Sequence, residues 1–140
     1  LTSDQITEAL ELRMGNWKYS DGETLTGRWK EKKLSIEIKG QFGGKKYVQT
    51  VKYDQKTDQF VGIMSLAELD GSRLVETRHN RWDPKTKTLR IRPAGSRESE
   101  WTLSMRKTGP NSVFCEFRTL RNGRVVSREN STGVRTPNTP

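Results

Sequence analysis

The stretch LRMGNWKYSDGETLTGRW, from Leu12 to Trp29, joins a short helical pattern to two segments that read as strands. Gly15 and Trp17 form a Gly-x-Trp motif where the first strand begins, and Asp21-Gly22 separates the two strands. Asp-Gly is a favoured two-residue hairpin turn. Gly15 lets the helix and strand backbones approach closely, and Trp17 supplies a large apolar side chain. The stretch therefore predicts a helix followed by a β-hairpin.

The segment before Gly15, SDQITEALELRM, is the part of the chain with the clearest helical period. Ile6, Leu10 and Met14 recur on one helical face, and either Ser3 or Asp4 can act as the N-cap. We therefore expect one short amphipathic helix over residues 3–14.

The remainder reads as strands separated by tight turns. Gly43-Gly44, Asp70-Gly71 and Asn122-Gly123 are further two-residue hairpin signals. The predicted strands cover 16–20, 24–31, 33–42, 45–53, 58–69, 72–82, 87–92, 99–107, 112–121 and 124–130. Ten consecutive strands favour an all-β, up-and-down antiparallel β-barrel, because closure removes unpaired edges. We expect one domain over 1–140, with a helical lead-in at 1–14 and a loose tail at 131–140.

One hairpin can be tested by its pairing, and two loops by a shared sequence pattern. A turn at Gly43-Gly44 places Ile36 opposite Val51 and Gly40 opposite Tyr47, with one face apolar on both strands. The repeated patterns YDQKTDQF from Tyr53 and WDPKTKTL from Trp82 predict two hairpin loops of one type, each opened by an Asp.

The sixth strand carries a conflict. Equal loops place Phe60 and Trp82 on one face, whereas a two-residue turn at Asp70-Gly71 places Phe60 opposite Arg81. Both patterns can hold only if a β-bulge or a longer loop lies between Phe60 and Trp82. Two inward sets stay open: Val75, Thr77, His79 and Arg81, or Leu74, Glu76, Arg78, Asn80 and Trp82.

The short helix, Gly15-x-Trp17 at the first strand, and the meander of hairpins resemble the lipocalin and calycin superfamily, including bacterial lipocalin-like families of unknown function. The resemblance covers roughly residues 4–130. It implies that Trp17 closes one barrel end and that an Arg or Lys from near the last strand packs over it. Arg128 is the candidate, with Arg118 and Arg124 as rivals. The disulfide of secreted lipocalins cannot form, because Cys115 is the single cysteine.

The net charge of +9 is unevenly distributed. Residues 1–70 carry 11 basic and 11 acidic side chains, whereas residues 71–140 carry 15 basic and 6 acidic ones, and 12 of those 15 are Arg. Arg suits bidentate contact with carboxylate or phosphate. The second half therefore indicates either a solvated basic face or an anionic ligand or partner.

Signals for catalysis and metals are few. One His and one Cys do not supply a metal-ligand pattern, and the sequence lacks a Gly-rich phosphate loop, so no cofactor is expected. His79 is either an ordinary polar strand residue or a general base or haem ligand, as in haem-binding members of the superfamily. Cys115 sits between Phe114 and Glu116 and reads as a buried, inert thiol. The apolar runs are too short for a membrane-spanning helix.

A group of inward positions could line a pocket. Apolar walls with a few polar groups suit a small molecule, although the same side chains could fill the barrel completely. The candidates are Trp29, Ile36, Ile38, Phe42, Tyr47, Val51, Met64, Trp101, Leu103 and Met105, with Arg78 or His79 as an anchor for a carboxylate.

Four functions follow from these patterns. We expect a non-enzymatic barrel that binds a small apolar or amphipathic anionic ligand. The alternatives are polyanion or nucleic-acid binding through the Arg-rich second half, a haem-dependent or isomerase activity at His79, and a plain interaction module. Because the sequence starts at Leu1 without an initiator Met, export is slightly preferred over a cytoplasmic location.

Overall fold

The computed structural model describes residues 1–95 and 99–136, which form one helix and ten strands. The helix α1 spans Ser3–Glu11. The strands are β1 Gly15–Tyr19, β2 Thr24–Glu31, β3 Ser35–Phe42, β4 Lys45–Asp54, β5 Gln59–Ala67, β6 Arg73–Asp83, β7 Thr88–Pro93, β8 Ser99–Gly109, β9 Ser112–Arg121 and β10 Arg124–Thr136.

The strands form a closed antiparallel barrel in which each strand pairs with its neighbours along the chain. Closure is made by β10, which pairs with β1 from Asn16↔Thr136 to Tyr19↔Gly133. The predicted all-β, up-and-down barrel of ten strands with one short helix is therefore confirmed.

The helix α1 lies at one end of the barrel. Its N-cap is Thr2 rather than Ser3 or Asp4, and Thr2 forms a reciprocal capping box with Gln5. The helix ends at Glu11, three residues earlier than predicted, and Ala9 and Leu10 are buried. Two ion pairs tie it to hairpins at this end: Glu8 to Lys87 Nζ at 2.6 Å, and the Leu1 amino group to Asp58 at 2.9 Å.

The β3–β4 hairpin has the predicted register. Ile36 faces Val51, and Gly40 faces Tyr47. The two loops that share the Asp-x-Lys-Thr pattern are also of one type. Asp54 accepts the backbone N–H of Lys56, and Asp83 accepts that of Lys85. In each loop the residue before the returning strand has a positive φ, +54° at Asp58 and +53° at Lys87.

The β5–β6 connection settles the inward face of β6. The turn is a five-residue loop, residues 68–72, in which the Glu68 N–H bonds the Ser72 carbonyl at 2.8 Å. Phe60 therefore faces Asn80, not Arg81. In this register the Asp54 and Asp83 loops can be of the same type, with Phe60 and Trp82 on one face. The inward-facing residues of β6 are Leu74, Glu76, Arg78, Asn80 and Trp82.

The end of the chain corrects one prediction. Residues 131–136, predicted to be a loose tail, continue β10 and close the barrel, because β1 needs a partner on its free edge. Residues 137–140 lie outside the described part of the chain.

The cation over Trp17 is also different from the one predicted. The Arg135 guanidinium lies 4.8 Å from the centre of the Trp17 ring. Arg128 faces Arg118 across the β9–β10 ladder, and Arg124 begins β10. These positions are at least seven residues from Arg135, or about 23 Å along the strand at about 3.3 Å per residue. The predictions of Arg128, Arg118 and Arg124 are therefore wrong.

We expect Arg135→Ala to lower the free energy of unfolding by about 1–2 kcal/mol, because it removes a cation–π contact and the aliphatic cover of Trp17. Arg128→Ala is the matched control on the same strand, and its exposed side chain predicts a change within about 0.5 kcal/mol. Urea unfolding followed by Trp fluorescence measures both. Equal effects of the two substitutions would contradict the assignment.

No helix within the described residues is long and apolar enough to cross a membrane.

Candidate ligand site in the barrel interior

The half of the barrel away from α1 encloses a cavity of about 420 Å³. The packed half is filled by side chains such as Ile36, Val51, Phe60 and Leu89, each at most 1% exposed. The cavity is walled mainly by apolar and aromatic side chains, a composition typical of small-molecule sites. Those predicted from the sequence that line it are Ile38, Phe42, Tyr47, Met64, Arg78, Leu103 and Met105.

Other predicted ligand residues lie elsewhere. Ile36 and Val51 belong to the packed core, and Trp29 is half-buried against that core. Trp101 also packs against the core, where it lies under the Arg78 guanidinium. Ile36, Val51 and Trp29 do not line the cavity, because the barrel is filled solid at the helix end. Trp101 lies nearer the other end, but it packs against Phe117 and Arg78 and does not line the cavity. The fifth, His79, points to the outer face of β6, since Arg78 and Asn80 on either side of it point inward.

Arg13 is the functional candidate that the sequence analysis missed. It lies just after α1, is 5% exposed and lines the cavity. One guanidinium nitrogen, Nη2, donates to Asn80 Oδ1 at 3.0 Å, and Nε has no partner within the described residues. Burial lowers the pKa of Arg13 to about 10, so the side chain stays charged at neutral pH. In the described part of the chain, the one acceptor of an Arg13 hydrogen bond is a neutral amide.

The chain turns sharply to place Arg13 inside. After α1 the Leu12 N–H still bonds the Ala9 carbonyl, and the Met14 N–H bonds the Glu11 carbonyl at 3.1 Å. The Arg13 carbonyl then lies against Gly27 of β2, so closely that a Cβ at residue 27 would sit 1.9 Å from that oxygen. The lack of a side chain at Gly27 is what lets Arg13 occupy this position.

Two tyrosines project into the same cavity by lying over strand glycines. Tyr47 covers Gly40, and Tyr19 covers Gly133 on the neighbouring strand. The Tyr47 hydroxyl donates to the Glu23 carboxylate. The Tyr19 hydroxyl is buried and has no hydrogen-bond partner among the described residues. Burial raises the pKa of both phenols, so each keeps its proton.

Two further buried polar side chains, Gln49 in the cavity wall and Asn80 beside Arg13, have atoms without partners within residues 1–95 and 99–136. Gln49 is 3% exposed with Oε1 unpaired, and Asn80 is fully buried with Nδ2 unpaired. Gln49 Oε1 and Asn80 Nδ2 both flank Gly62 of β5. Buried polar groups are normally satisfied, since an unmade hydrogen bond costs about 1–3 kcal/mol. The polar atoms around Arg13 therefore include both donors and acceptors that could form hydrogen bonds with a ligand.

Arg78, the anchor predicted from the sequence, differs from Arg13 because it already has an ionic partner. Its Nε lies 2.8 Å from the Glu76 carboxylate, and its guanidinium lies 4.6 Å from the centre of the Trp101 ring. Arg78 lines the cavity but its charge is already compensated. Arg13 is therefore the better receptor for an additional anion.

Glu23 is the acid nearest to this group. Burial is the main cause that raises the pKa of Glu23 above its ordinary 4.5, and the hydrogen bond from Tyr47 only partly opposes it. The folded state thus favours the protonated carboxyl more than the unfolded chain does.

We expect stability to depend on pH through Glu23. Because the folded state raises the pKa of Glu23, the protonated carboxyl adds to the free energy of unfolding below pH 4.5. This contribution is lost as the pH rises through the folded-state pKa. Glu23→Gln keeps an acceptor for Tyr47 but cannot ionise. The free energy of unfolding of the variant, relative to that of the natural protein, should therefore increase as pH rises from 4.5. Denaturant titrations at several pH values measure it, and a constant difference would refute the expectation.

The single cysteine, Cys115, is buried. Cys115 is 4% exposed, and burial raises the pKa of its thiol to about 12, which suits an inert core residue as expected. No cluster of three or more His, Cys, Asp or Glu that could hold a metal ion is found among the described residues.

The fold and the cavity define a closed ten-stranded antiparallel barrel that is compatible with a calycin-like fold. No model of a known protein family matches the chain, and no curated protein is similar to it in sequence.

Proposed function

We propose that the protein binds a small amphipathic anion inside its barrel, without chemical turnover. The observation that carries the proposal is Arg13, a buried guanidinium whose one hydrogen-bond partner within the described residues is the neutral Asn80 amide. Arg13 forms no ion pair within the described residues, because Glu23, the nearest acid, is hydrogen-bonded to Tyr47. A buried charge without a direct ionic partner is costly, and an anionic group of a ligand would supply that partner.

The polar and apolar parts of the cavity support an amphipathic ligand. The anionic group binds at Arg13, where the Tyr19 hydroxyl can donate a further hydrogen bond. The hydrocarbon part lies along Met64, Leu66 and Phe42 toward the end of the barrel opposite α1. The volume of about 420 Å³ lies within the range of about 300–1,000 Å³ that is usual for small-molecule sites. A lipocalin-like carrier or sensor would have such a site.

The test compares two ligands that differ only in the head group. Decanoate and 1-decanol compete with an environment-sensitive fluorescent anion, anilinonaphthalene sulfonate, for the purified protein. We expect decanoate to bind at least about tenfold more tightly, since one charge-assisted contact is worth about 1.5–3 kcal/mol. Equal affinities, or no displacement by decanoate, would overturn the proposal.

A further inference from the structure

The outer face of the barrel carries a second site, separate from the cavity. A groove of about 690 Å³ crosses β6, β7, β8 and β9 on their outward side. We name it the outer groove, and its basic members are His79, Arg81, Arg90, Arg92, Arg106 and Arg118. It accounts for much of the positive charge of residues 71–140.

The strand register brings like charges directly opposite each other. Arg81 faces Arg90 across β6 and β7, and His79 faces Arg92 two residues further along. Like-charged neighbours across a ladder are destabilising. A bound polyanion would remove this repulsion.

Most of these basic side chains form no ion pair with a carboxylate of the described residues. Arg118 is paired with Glu116, and Arg90 lies 3.7 Å from Asp83. Arg81, Arg92 and Arg106 have no ion pair within the described residues. Guanidinium groups match phosphate oxygens in a bidentate geometry.

The groove also carries an aromatic surface. The Arg106 guanidinium lies 5.5 Å from the centre of the Phe114 ring, and both line the groove. Thr102 and Ser104 also line the groove, where Thr102 is opposite Arg118 and Ser104 is opposite Arg90, and their hydroxyls can donate to phosphate. Aromatic rings and guanidinium planes stack with bases, whereas sulfated glycans have no planar group to stack.

We propose that the outer groove binds single-stranded nucleic acid, with arginines on the phosphates and a base against Arg106 and Phe114. Arg81, Arg90 and Arg92 contact three phosphates, and Arg106 contacts a fourth through the edge of its guanidinium while the face lies against the base. Neutralising about four phosphates of a single strand predicts a slope near −3 for log affinity against log salt. The site is independent of the barrel cavity, so saturating decanoate should leave it unchanged.

The experiment measures the fluorescence anisotropy of a labelled oligothymidylate strand over a range of NaCl concentrations. The combined variant R81Q/R90Q/R92Q should bind at least about tenfold more weakly at low salt, and its salt slope should fall by about 2. The matched control K30Q/K32Q/K46Q removes the same charge from exposed positions on the other side of the barrel. It should bind like the natural protein.

Several outcomes would overturn the proposal. They are a control that weakens binding as much as the groove variant, a natural protein that does not bind the strand at physiological salt, and a salt slope near zero. Thermal unfolding shows whether the groove variant is folded. We expect its midpoint to be equal or higher, because repulsion between Arg81 and Arg90 is removed.

A second variant separates nucleic acid from other polyanions. Phe114→Leu keeps an apolar side chain but removes the ring, and it should weaken oligothymidylate binding about fivefold. Heparin binding should be unchanged by the same substitution. If oligothymidylate binding is also unchanged, or if heparin competes equally well at equal charge, the groove recognises charge alone and the nucleic-acid assignment is wrong.

Discussion

Gly27→Ala should lower the free energy of unfolding by about 3 kcal/mol or more. The added Cβ would lie 1.9 Å from the Arg13 carbonyl oxygen and 2.9 Å from its carbonyl carbon, and neither backbone atom can move without displacing the link between α1 and β1. Overpacking a buried site costs about 1–3 kcal/mol when side chains can adjust, and more when the backbone must. Equilibrium urea unfolding measures the loss.

Gly62→Ala is the matched control. Gly62 is also a buried strand glycine without a positive φ, but the atom closest to its added Cβ is Gln49 Oε1 at 3.4 Å. That distance is an ordinary contact, so the change should stay within about 1 kcal/mol, because alanine also reduces the freedom of the unfolded chain. Comparable losses at Gly27 and Gly62 would show that the Arg13 turn is not the cause.

Arg13→Met should weaken decanoate binding by about 30-fold or more, because the ligand carboxylate would lose the charge it binds. The stability of the ligand-free protein should change by less than about 1 kcal/mol. Arg13 forms no ion pair within the described residues, so the loss of its buried charge is favourable, and this gain offsets the lost bond to Asn80. Calorimetric titration and urea unfolding measure the two effects.

The pairing of a large functional loss with a small stability change separates a binding role for Arg13 from a structural one. A structural role predicts a large loss of stability and no change in the preference for decanoate over 1-decanol. Arg128→Met removes an exposed charge from β10 and should leave both the affinity and the stability unchanged. Arg78→Met should weaken binding only several-fold, because Glu76 already neutralises Arg78.

Local turn chemistry explains why so much of the barrel could be predicted from the sequence. Gly43-Gly44 permits a two-residue turn, and the alternation of Ile36 and Ile38 with charged residues then admits one register. The type of the Asp54 and Asp83 loops could also be predicted, because each Asp side chain accepts a hydrogen bond from the backbone N–H two residues ahead.

The same reasoning failed where a turn signal does not specify loop length. Asp70-Gly71 resembles a two-residue hairpin turn, yet Asp70 bonds the backbone and hydroxyl of Ser72 inside a five-residue loop. The end of the chain was misread for a related reason. Its Ser, Thr and Gly residues suggest a loop, but the free edge of β1 makes 131–136 a strand through contacts distant in sequence.

Arg13 could not be placed because its position depends on long-range packing. A basic residue after a helix ordinarily faces solvent, and only the approach of β2 at Gly27 and of Asn80 on β6 encloses it. The neighbouring pattern Leu12-Arg13-Met14, with apolar residues on both sides of a cation, is the one local signal that could have drawn attention to it.

A crystal structure of the protein with a brominated decanoate tests the central claim most directly, because the anomalous signal of bromine locates the hydrocarbon end independently. We predict bromine inside the barrel near Met64 and Leu66, and a carboxylate oxygen within about 3 Å of the Arg13 guanidinium. Bromine on the outer face, or a carboxylate bound at Arg78 with Arg13 unengaged, would contradict the account.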